Sequence, residues 1–252
     1  MSPRDTPTGL QPWLLALTPN GACGYTGNYG DGSISAFSLQ ANGQINIVHT
    51  VATNYGGLAG TAVDKEGSLL FVLSNSSNKV LSYFIERSSC KISQTAFTYD
   101  TSIQPARMRI TKLGNKQYLY IVNSGTNLVN EYEIKANGGL TPMGSTATGG
   151  VDPMNIFILN GVNAYMPHRG SNNISWFKVL EDGTLRFMQS YETNGAGSRN
   201  IVFGNNNKSM YVANQYSNDL TRFDINLDGS LQYIKKYDSG GVQPFGVVIV
   251  NQ

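Results

Sequence analysis

From Tyr211-Val212-Ala213-Asn214 to Thr221-Arg222-Phe223, the chain carries the clearest of five copies of one motif. Each copy has an aromatic residue, a polar turn residue shortly after it, and a second aromatic residue nine positions beyond the turn residue. The second aromatics recur every 45–48 residues, at Phe37, Phe84, Tyr132, Phe177 and Phe223. The turn residues are Asn28, Asn75, Asn123, His168 and Asn214. A period of this length with several short strands per unit is typical of β-propeller blades.

The repeat predicts an all-β fold, a β-propeller of about five four-stranded blades in a single domain over residues 1–252. Alternating apolar and polar residues, as in Ile174–Val179, indicate half-buried strands. The first strand of the fourth repeat is expected at Pro153–Ile158. The repeats lie approximately at 10–57, 58–104, 105–152, 153–197 and 198–243, followed by a closing strand at 244–250.

The first strand of the repeat occurs six times, whereas the other three strands occur five times. Its extra copies are Pro12–Leu17 near the start and Pro244–Ile249 near the end. A propeller avoids exposed sheet edges by closing its ring, and a strand from one terminus commonly completes a blade. We therefore expect ring closure by a terminal strand. Two candidates for one position also suggest strand exchange between copies, and hence a homo-oligomer.

The composition excludes several classes of function. Charged residues make up 13 % of the chain and the net charge is +2, without a Lys/Arg cluster, which argues against nucleic acid as a partner. The sequence has no apolar run of about 18 residues, so we expect no membrane partner. No Cys/His spacing suggests a metal site, and no cofactor motif is evident. The expected partner is a small molecule or a carbohydrate.

The two cysteines, Cys23 and Cys90, stand at non-equivalent positions of the repeat. The sequence allows a disulfide but favours two buried thiols. The first nine residues are polar and lack the apolar segment of a signal peptide. This predicts a cytoplasmic protein, or a secreted one if a leader has been removed, and leaves the compartment open.

Several segments resemble those of lactonase-type propellers, the family of bacterial 6-phosphogluconolactonase and fungal carboxymuconate cyclase. Arg169–Phe177 resembles the family's Asn-Arg-Gly-x-x-x-Ile-x-x-Phe segment, and Ser198–Phe203 resembles its Pro-Arg-x-Phe segment. Ala213–Asn218 is similar to its Ala-Asn-Gln-x-Ser turn, Pro244–Val248 to its C-terminal strand, and Gly24–Tyr29 to its opening strand. The resemblance implies a propeller fold and hydrolysis of a lactone.

The chain also departs from the family pattern. The family has seven blades, whereas five repeats are present here. The family's active-site His follows a Pro in a central blade, but the nearest segment here is Pro105-Ala106-Arg107. The family's Asn-Arg pair is replaced by His168-Arg169. The resemblance therefore predicts the fold more firmly than the activity.

The candidate catalytic residues are His168, Arg169 and Arg199, which fall in adjacent repeats. A His can transfer a proton near neutral pH, and Arg is a planar donor suited to carboxylate or phosphate. We predict His168 as the base and the two arginines as an anion clamp. An alternative is that His168 only replaces the turn Asn. Candidate ligand-binding residues are Arg107, Asn214 and Gln215.

Three functions remain open at this point. The first is a lactonase-like hydrolase of a small anionic lactone. The second is a non-catalytic propeller that binds carbohydrate or protein through its similar polar turns at 75–78, 123–127 and 214–218. The third is a scaffold fragment of a larger propeller that is complete only as an oligomer.

Overall fold

The computed structural model describes residues 7–249 and confirms the all-β prediction. The described chain forms twenty strands and a short 3-10 turn at Asn205–Asn207. The strands group into five antiparallel sheets of four, each made from consecutive strands. This is the blade architecture of a β-propeller.

The first sheet contains β1 (Pro12–Leu17), β2 (Cys23–Asn28), β3 (Ser33–Leu39) and β4 (Ile45–Ala52). The second contains β5 (Leu58–Val63), β6 (Leu69–Ser74), β7 (Lys79–Ile85) and β8 (Ile92–Asp100). The third contains β9 (Pro105–Leu113), β10 (Lys116–Asn123), β11 (Leu128–Ile134) and β12 (Leu140–Ala147). The fourth contains β13 (Phe157–Leu159), β14 (Asn163–His168), β15 (Asn173–Val179) and β16 (Leu185–Glu192). The fifth contains β17 (Ser198–Phe203), β18 (Ser209–Asn214), β19 (Asp219–Ile225) and β20 (Leu231–Asp238).

The second strand of the sheets is buried on both faces. Every residue of β2, β6 and β14 is buried. The last strand is more exposed, since only Leu140 of β12 and Leu231 of β20 are buried. Continuous apolar runs such as Leu69–Leu73 therefore suit the middle of a sheet that is covered on both sides.

The chain forms two compact units. The first comprises Met1–Ile121 and Tyr132–Met143, and the second comprises Val122–Glu131 and Gly144–Gln252. The first unit has apolar clusters around Tyr25 and Phe71. The second has a cluster around Tyr165 and Phe223. Four of the five second aromatics of the repeat are thus core residues, which explains their regular spacing, whereas Phe84 is 42 % exposed.

One hydrogen bond recurs at the boundary between repeats, and we call it the boundary hydrogen bond. In it, the Asn side chain that precedes the third strand of a sheet accepts from the backbone N–H of the last residue of the same repeat. The pairs are Asn78 with Gln104, Asn127 with Asp152, Asn172 with Gly197, and Asn218 with Gln243, at 2.7–2.9 Å. All eight residues have a positive φ. Asn suits this position because it adopts left-handed backbone more readily than most residues and its side chain can accept the bond.

Three expectations need correction. The predicted closing strand at 244–250 does not form over its described part, since 244–249 contain no strand. The position beside β2 is already filled by β1. The first strand of the fourth sheet is shorter than expected, because Pro153 makes only an isolated pairing with His168 before β13 begins.

The third correction concerns the cysteines. Cys23 and Cys90 form a disulfide across 67 residues, so the prediction of two free thiols was wrong. Cys23 begins β2 of the first sheet, and Cys90 lies in the turn before β8 of the second. Non-equivalent repeat positions can therefore still meet where neighbouring sheets pack.

In the described part of the chain, no helix is long and apolar enough to cross a membrane.

Candidate functional site

A β-bulge places Arg199 at the start of the fifth sheet. Ser198 pairs with Asn214 and Asn200 pairs with Ala213, so Arg199 has no partner on β18. A bulge changes the direction of the side chain at the extra residue, and bulges are common next to functional sites. The half-buried Arg199 side chain therefore leaves the regular pattern of the sheet.

Two neighbours fix the Arg199 guanidinium. Its Nη1 donates to Oε1 of Gln215 at 2.8 Å. Its central carbon lies 3.8 Å from the centre of the Phe245 ring. Burial lowers the pKa of Arg199, and the nearby charge of Arg169 lowers that pKa further. The group still carries its charge at neutral pH, because Arg cannot be deprotonated in this range.

Arg169 is held by Asp152 through two hydrogen bonds. The Arg169 Nε donates to Asp152 Oδ2 at 2.7 Å, and the Arg169 backbone N–H donates to the Asp152 carbonyl at 3.0 Å. The charges of Arg169 and Asp152 both act on the pKa of Arg199, so three of the predicted residues lie near two that the prediction missed. We call Asp152, Arg169, Arg199, Gln215 and Phe245 the Arg199 cluster. A pair of guanidinium groups beside one carboxylate can bind an anion and still offer a proton acceptor.

His168 lies near the Arg199 cluster, since the charge of Asp152 acts on its pKa, but its ring is enclosed. Its side chain is completely buried, and neither ring nitrogen makes a hydrogen bond of good geometry, although the backbone groups of Asn173 and Thr148 lie close enough to act on its pKa. Burial lowers the pKa of His168 to about 4, and the backbone groups of Asn173 and Thr148 oppose only part of that shift. The ring is therefore neutral at physiological pH. A base must contact the water that it activates, and the described position of His168 gives no such contact.

The repeat explains where His168 lies. In the first and fifth sheets the equivalent Asn side chain donates to residues five and seven positions later. Asn28 donates to Ser33 and Ser35, and Asn214 donates to Asp219 and Thr221. A histidine cannot reproduce both bonds of an amide NH₂ group. Asn214, a predicted ligand-binding residue, is also completely buried, and its amide is used within the sheet.

Arg107, the remaining predicted ligand-binding residue, belongs to the first unit. Its Nη1 donates to the carbonyls of Ala106 at 2.7 Å and Ala59 at 3.4 Å. Its central carbon lies 5.8 Å from the centre of the Trp13 ring. The structure therefore does not assign Arg107 to the Arg199 cluster.

Sequence reasoning missed Asp152 and Phe245. A signal for Asp152 was present, because the residue before the first strand is Gln11 and Gln104 in two other repeats and Gln243 before the extra terminal copy. The other two repeats have Gly57 and Gly197 there, so an acidic residue is found only in the fourth repeat, although this position varies more than that of His168. Among residues 7–249, no group of three or more His, Cys, Asp or Glu could hold a metal ion.

The comparisons with known proteins agree with this architecture. Residues 155–245 match the family model described as Lactonase, 7-bladed beta-propeller. The search of curated proteins found no match. The matched stretch contains Arg169, Arg199, Gln215 and Phe245, but not Asp152.

Solved structures with a similar fold include three lactonase-type proteins. A putative 6-phosphogluconolactonase from Bacteroides fragilis is 21 % identical, with a TM-score of 0.78, over 93 % of this chain and 72 % of its own. A second, from Bacteroides uniformis, is 19 % identical, with a TM-score of 0.78, over 91 % and 71 %. The periplasmic gluconolactonase of Pseudomonas aeruginosa is 19 % identical, with a TM-score of 0.76, over 89 % and 69 %. The chain therefore has the fold of the lactonase-type β-propellers, and residues 155–245 carry the sequence pattern of that family.

Proposed function

We propose that the protein is a lactonase-like hydrolase of a small anionic lactone and that the Arg199 cluster binds the anionic group. One observation carries the proposal. Arg199 leaves the sheet at a bulge, is held by Gln215 and Phe245, and lies within the stretch that matches the lactonase family. A held guanidinium loses little entropy when it binds a carboxylate or phosphate.

The reaction requires a water molecule, a proton acceptor and a donor for the oxyanion. Water adds to the lactone carbonyl, the ring C–O bond breaks, and the ring oxygen leaves as a hydroxyl. We assign the water proton to the Asp152 carboxylate, which can then return it to the leaving oxygen. Arg169 donates to that carboxylate and orients it. This proposal replaces His168 as the base, because the His168 ring is buried.

The test is hydrolysis of 6-phosphogluconolactone and of glucono-1,5-lactone, with the spontaneous rate subtracted. A charge-assisted hydrogen bond contributes about 1.5–3 kcal/mol, so Arg199→Met should lower kcat/KM for the phosphorylated lactone by about 10- to 100-fold. The neutral lactone should be affected less. Arg186→Met is the matched control, because Arg186 is exposed on β16. Equal rates in the two variants would overturn the proposal.

Asp152 needs a separate variant. Asp152→Asn keeps the size and the acceptor oxygen but removes the base, and we expect kcat to fall with little change in KM. His168→Asn should retain turnover. The opposite pattern, with loss only in His168→Asn, would return the proton transfer to His168.

A non-catalytic binding propeller is the second candidate. The observation that favours it is the burial of His168, which removes the predicted base from reach of a ligand. In that case the open acid would bind to the Arg199 cluster, as measured by calorimetry, while no lactone turnover exceeded the spontaneous rate.

A further inference from the structure

Three segments of the chain have the acceptor pattern for N-linked glycosylation, which is Asn-x-Ser/Thr with x other than Pro. They are Asn75-Ser76-Ser77, Asn173-Ile174-Ser175 and Asn207-Lys208-Ser209. A pattern this short arises easily by chance in a chain rich in Asn and Ser. The structure separates the three sites, because a bulky sugar chain requires an asparagine amide at the surface.

The first two amides are used within the fold. Asn75 is half-buried, and its Nδ2 donates to the Pro105 carbonyl at 2.9 Å. Asn173 is 7 % exposed; its Nδ2 donates to the Gly149 carbonyl at 3.2 Å, and its Oδ1 accepts from the Ser171 hydroxyl at 2.6 Å. A glycan on either Nδ2 would meet the backbone that now accepts from it. Neither site therefore suits a glycan in the folded protein.

Asn207 lies in a different environment. It ends the short 3-10 turn Asn205–Asn207 between β17 and β18, and residues 206–208 are all exposed. Its φ of 56° is the left-handed conformation of tight turns. Its Nδ2 makes a long contact, 3.3 Å, with Oδ1 of Asn160 at the surface. A glycosylated amide keeps one N–H, so a glycan at Asn207 is compatible with this contact and with the turn.

Asn207 and Arg199 lie at opposite ends of one strand. Arg199 is the second residue of β17, whereas Asn207 follows the end of that strand at Phe203. A strand rises about 3.3 Å per residue, so about 13 Å of strand lies between Arg199 and Phe203. A glycan on Asn207 would therefore leave the Arg199 cluster open.

The disulfide indicates the kind of compartment in which N-glycans are attached. Cys23 and Cys90 are bonded to each other, and both are buried in the core of the first unit. Such bonds form and persist in oxidising compartments and are rare in the cytosol. N-linked glycans are likewise a feature of secreted proteins. The disulfide and the exposed acceptor pattern are independent observations, and both point to the secretory route.

We propose that Asn207 is an N-glycosylation site, modified as the chain enters an oxidising secretory compartment. The donor is an oligosaccharide linked to a lipid diphosphate. The Asn207 Nδ2 forms a bond to C1 of the first sugar, and the bond from C1 to the diphosphate oxygen breaks. The amide loses one proton, and the lipid diphosphate leaves. The proposal does not depend on the Arg199 cluster or on lactone hydrolysis.

The test is to produce the full chain in eukaryotic cells behind an added secretion leader and to analyse protein from both cells and medium. We expect one N-glycan per chain, removed by peptide N-glycosidase. That enzyme converts the glycosylated Asn to Asp, so mass spectrometry of peptides after treatment in heavy-oxygen water should place the label at Asn207. Ser209→Ala should abolish the glycan although Asn207 is retained, and Ser209→Thr, which keeps the acceptor pattern, should retain it.

Ser77→Ala is the matched control, because it removes the acceptor pattern of Asn75 and should leave the glycan unchanged. Asn207→Gln provides a second measurement if Ser209→Ala does not fold. A chain without a glycan, or with one at Asn75 or Asn173, would overturn the proposal. A glycan that persists in Asn207→Gln would overturn it as well.

Discussion

The guanidinium carbon of Arg199 lies 3.8 Å from the centre of the Phe245 ring. Phe245 follows the fifth sheet in a segment without a strand, and its side chain is 53 % exposed. The backbone N–H of Gln243 donates to Asn218 at 2.7 Å and anchors the start of that segment. The orientation of Arg199, the proposed anion-binding residue, thus depends on a residue outside the sheets.

Removal of the Phe245 ring should loosen Arg199. A cation–π contact at an exposed site contributes about 0.5–1 kcal/mol, so Phe245→Ala should raise KM for an anionic lactone about two- to fivefold, with kcat less affected. Phe245→Tyr should behave like the unchanged protein. Steady-state kinetics of all three proteins test this, and an unchanged KM in Phe245→Ala would show that the contact does not hold Arg199.

The buried His168 should make the protein less stable in acid. Because its pKa in the folded protein is lowered to about 4, its unfolded form takes up a proton first as the pH falls. Its contribution to stability is therefore complete above about pH 6.5 and is lost as the pH falls to about 4, by up to about 3 kcal/mol. His168→Asn restores the repeat residue and should remove this part of the pH dependence.

Urea unfolding of the two proteins at pH 7 and at pH 4.5 measures the difference. The comparison between proteins matters here, because Glu131 is also buried and burial raises its pKa. That carboxyl titrates equally in both proteins. Parallel loss of stability in the two proteins would show that His168 is not responsible.

The Cys23–Cys90 disulfide should stabilise the first unit. It closes a loop of 67 residues, and such bonds typically contribute about 2–4 kcal/mol by restricting the unfolded chain. Dithiothreitol should lower the Tm of the native protein. A Cys23→Ser/Cys90→Ser variant should have the lower Tm already and should not respond to the reductant. A response in that variant would point to another cause.

The boundary hydrogen bond of Asn172 can be separated from its backbone conformation. Asn172 has a φ of 58° and accepts from the Gly197 N–H at 2.7 Å. Asn172→Gly loses the hydrogen bond, about 0.5–1.5 kcal/mol, and makes the unfolded chain more flexible, at about 0.4–1 kcal/mol. Asn172→Ala loses the same hydrogen bond and also places an unsuitable residue at positive φ, at about 1–2 kcal/mol. In urea unfolding, the native protein should be the most stable, the Asn172→Gly variant second and the Asn172→Ala variant the least stable. Equal stability of the Gly and Ala variants would contradict the conformational part.

The sequence predicted the sheets well because their determinants are local and repeated. Most of the repeated aromatic residues, such as Tyr25 and Phe223, face the cores of the two units, and their period follows from the length of one sheet. The departure at His168 was also visible. The burial of the His168 ring was not visible, because the repeat cannot show whether a side chain at that position faces solvent or the interior of a sheet.

The site was predicted only in part because its contacts join distant segments. Arg169, Arg199 and Gln215 were found by resemblance, but Phe245 reaches Arg199 from a segment that was expected to be a strand. Asp152 was hidden at a position where no family motif draws attention to it. The disulfide was also missed because it joins distant segments, and its two residues occupy different places in their repeats.

The boundary hydrogen bonds have a consequence for how such a chain can change in evolution. Each one links the Asn side chain before the third strand of a sheet to the backbone N–H of the last residue of the same repeat, so both partners lie within one period. A gene segment that is duplicated or lost as a whole period therefore carries one donor and one acceptor with it, so the joints on either side stay matched. The number of blades can then vary by recombination while the connection between neighbours stays the same.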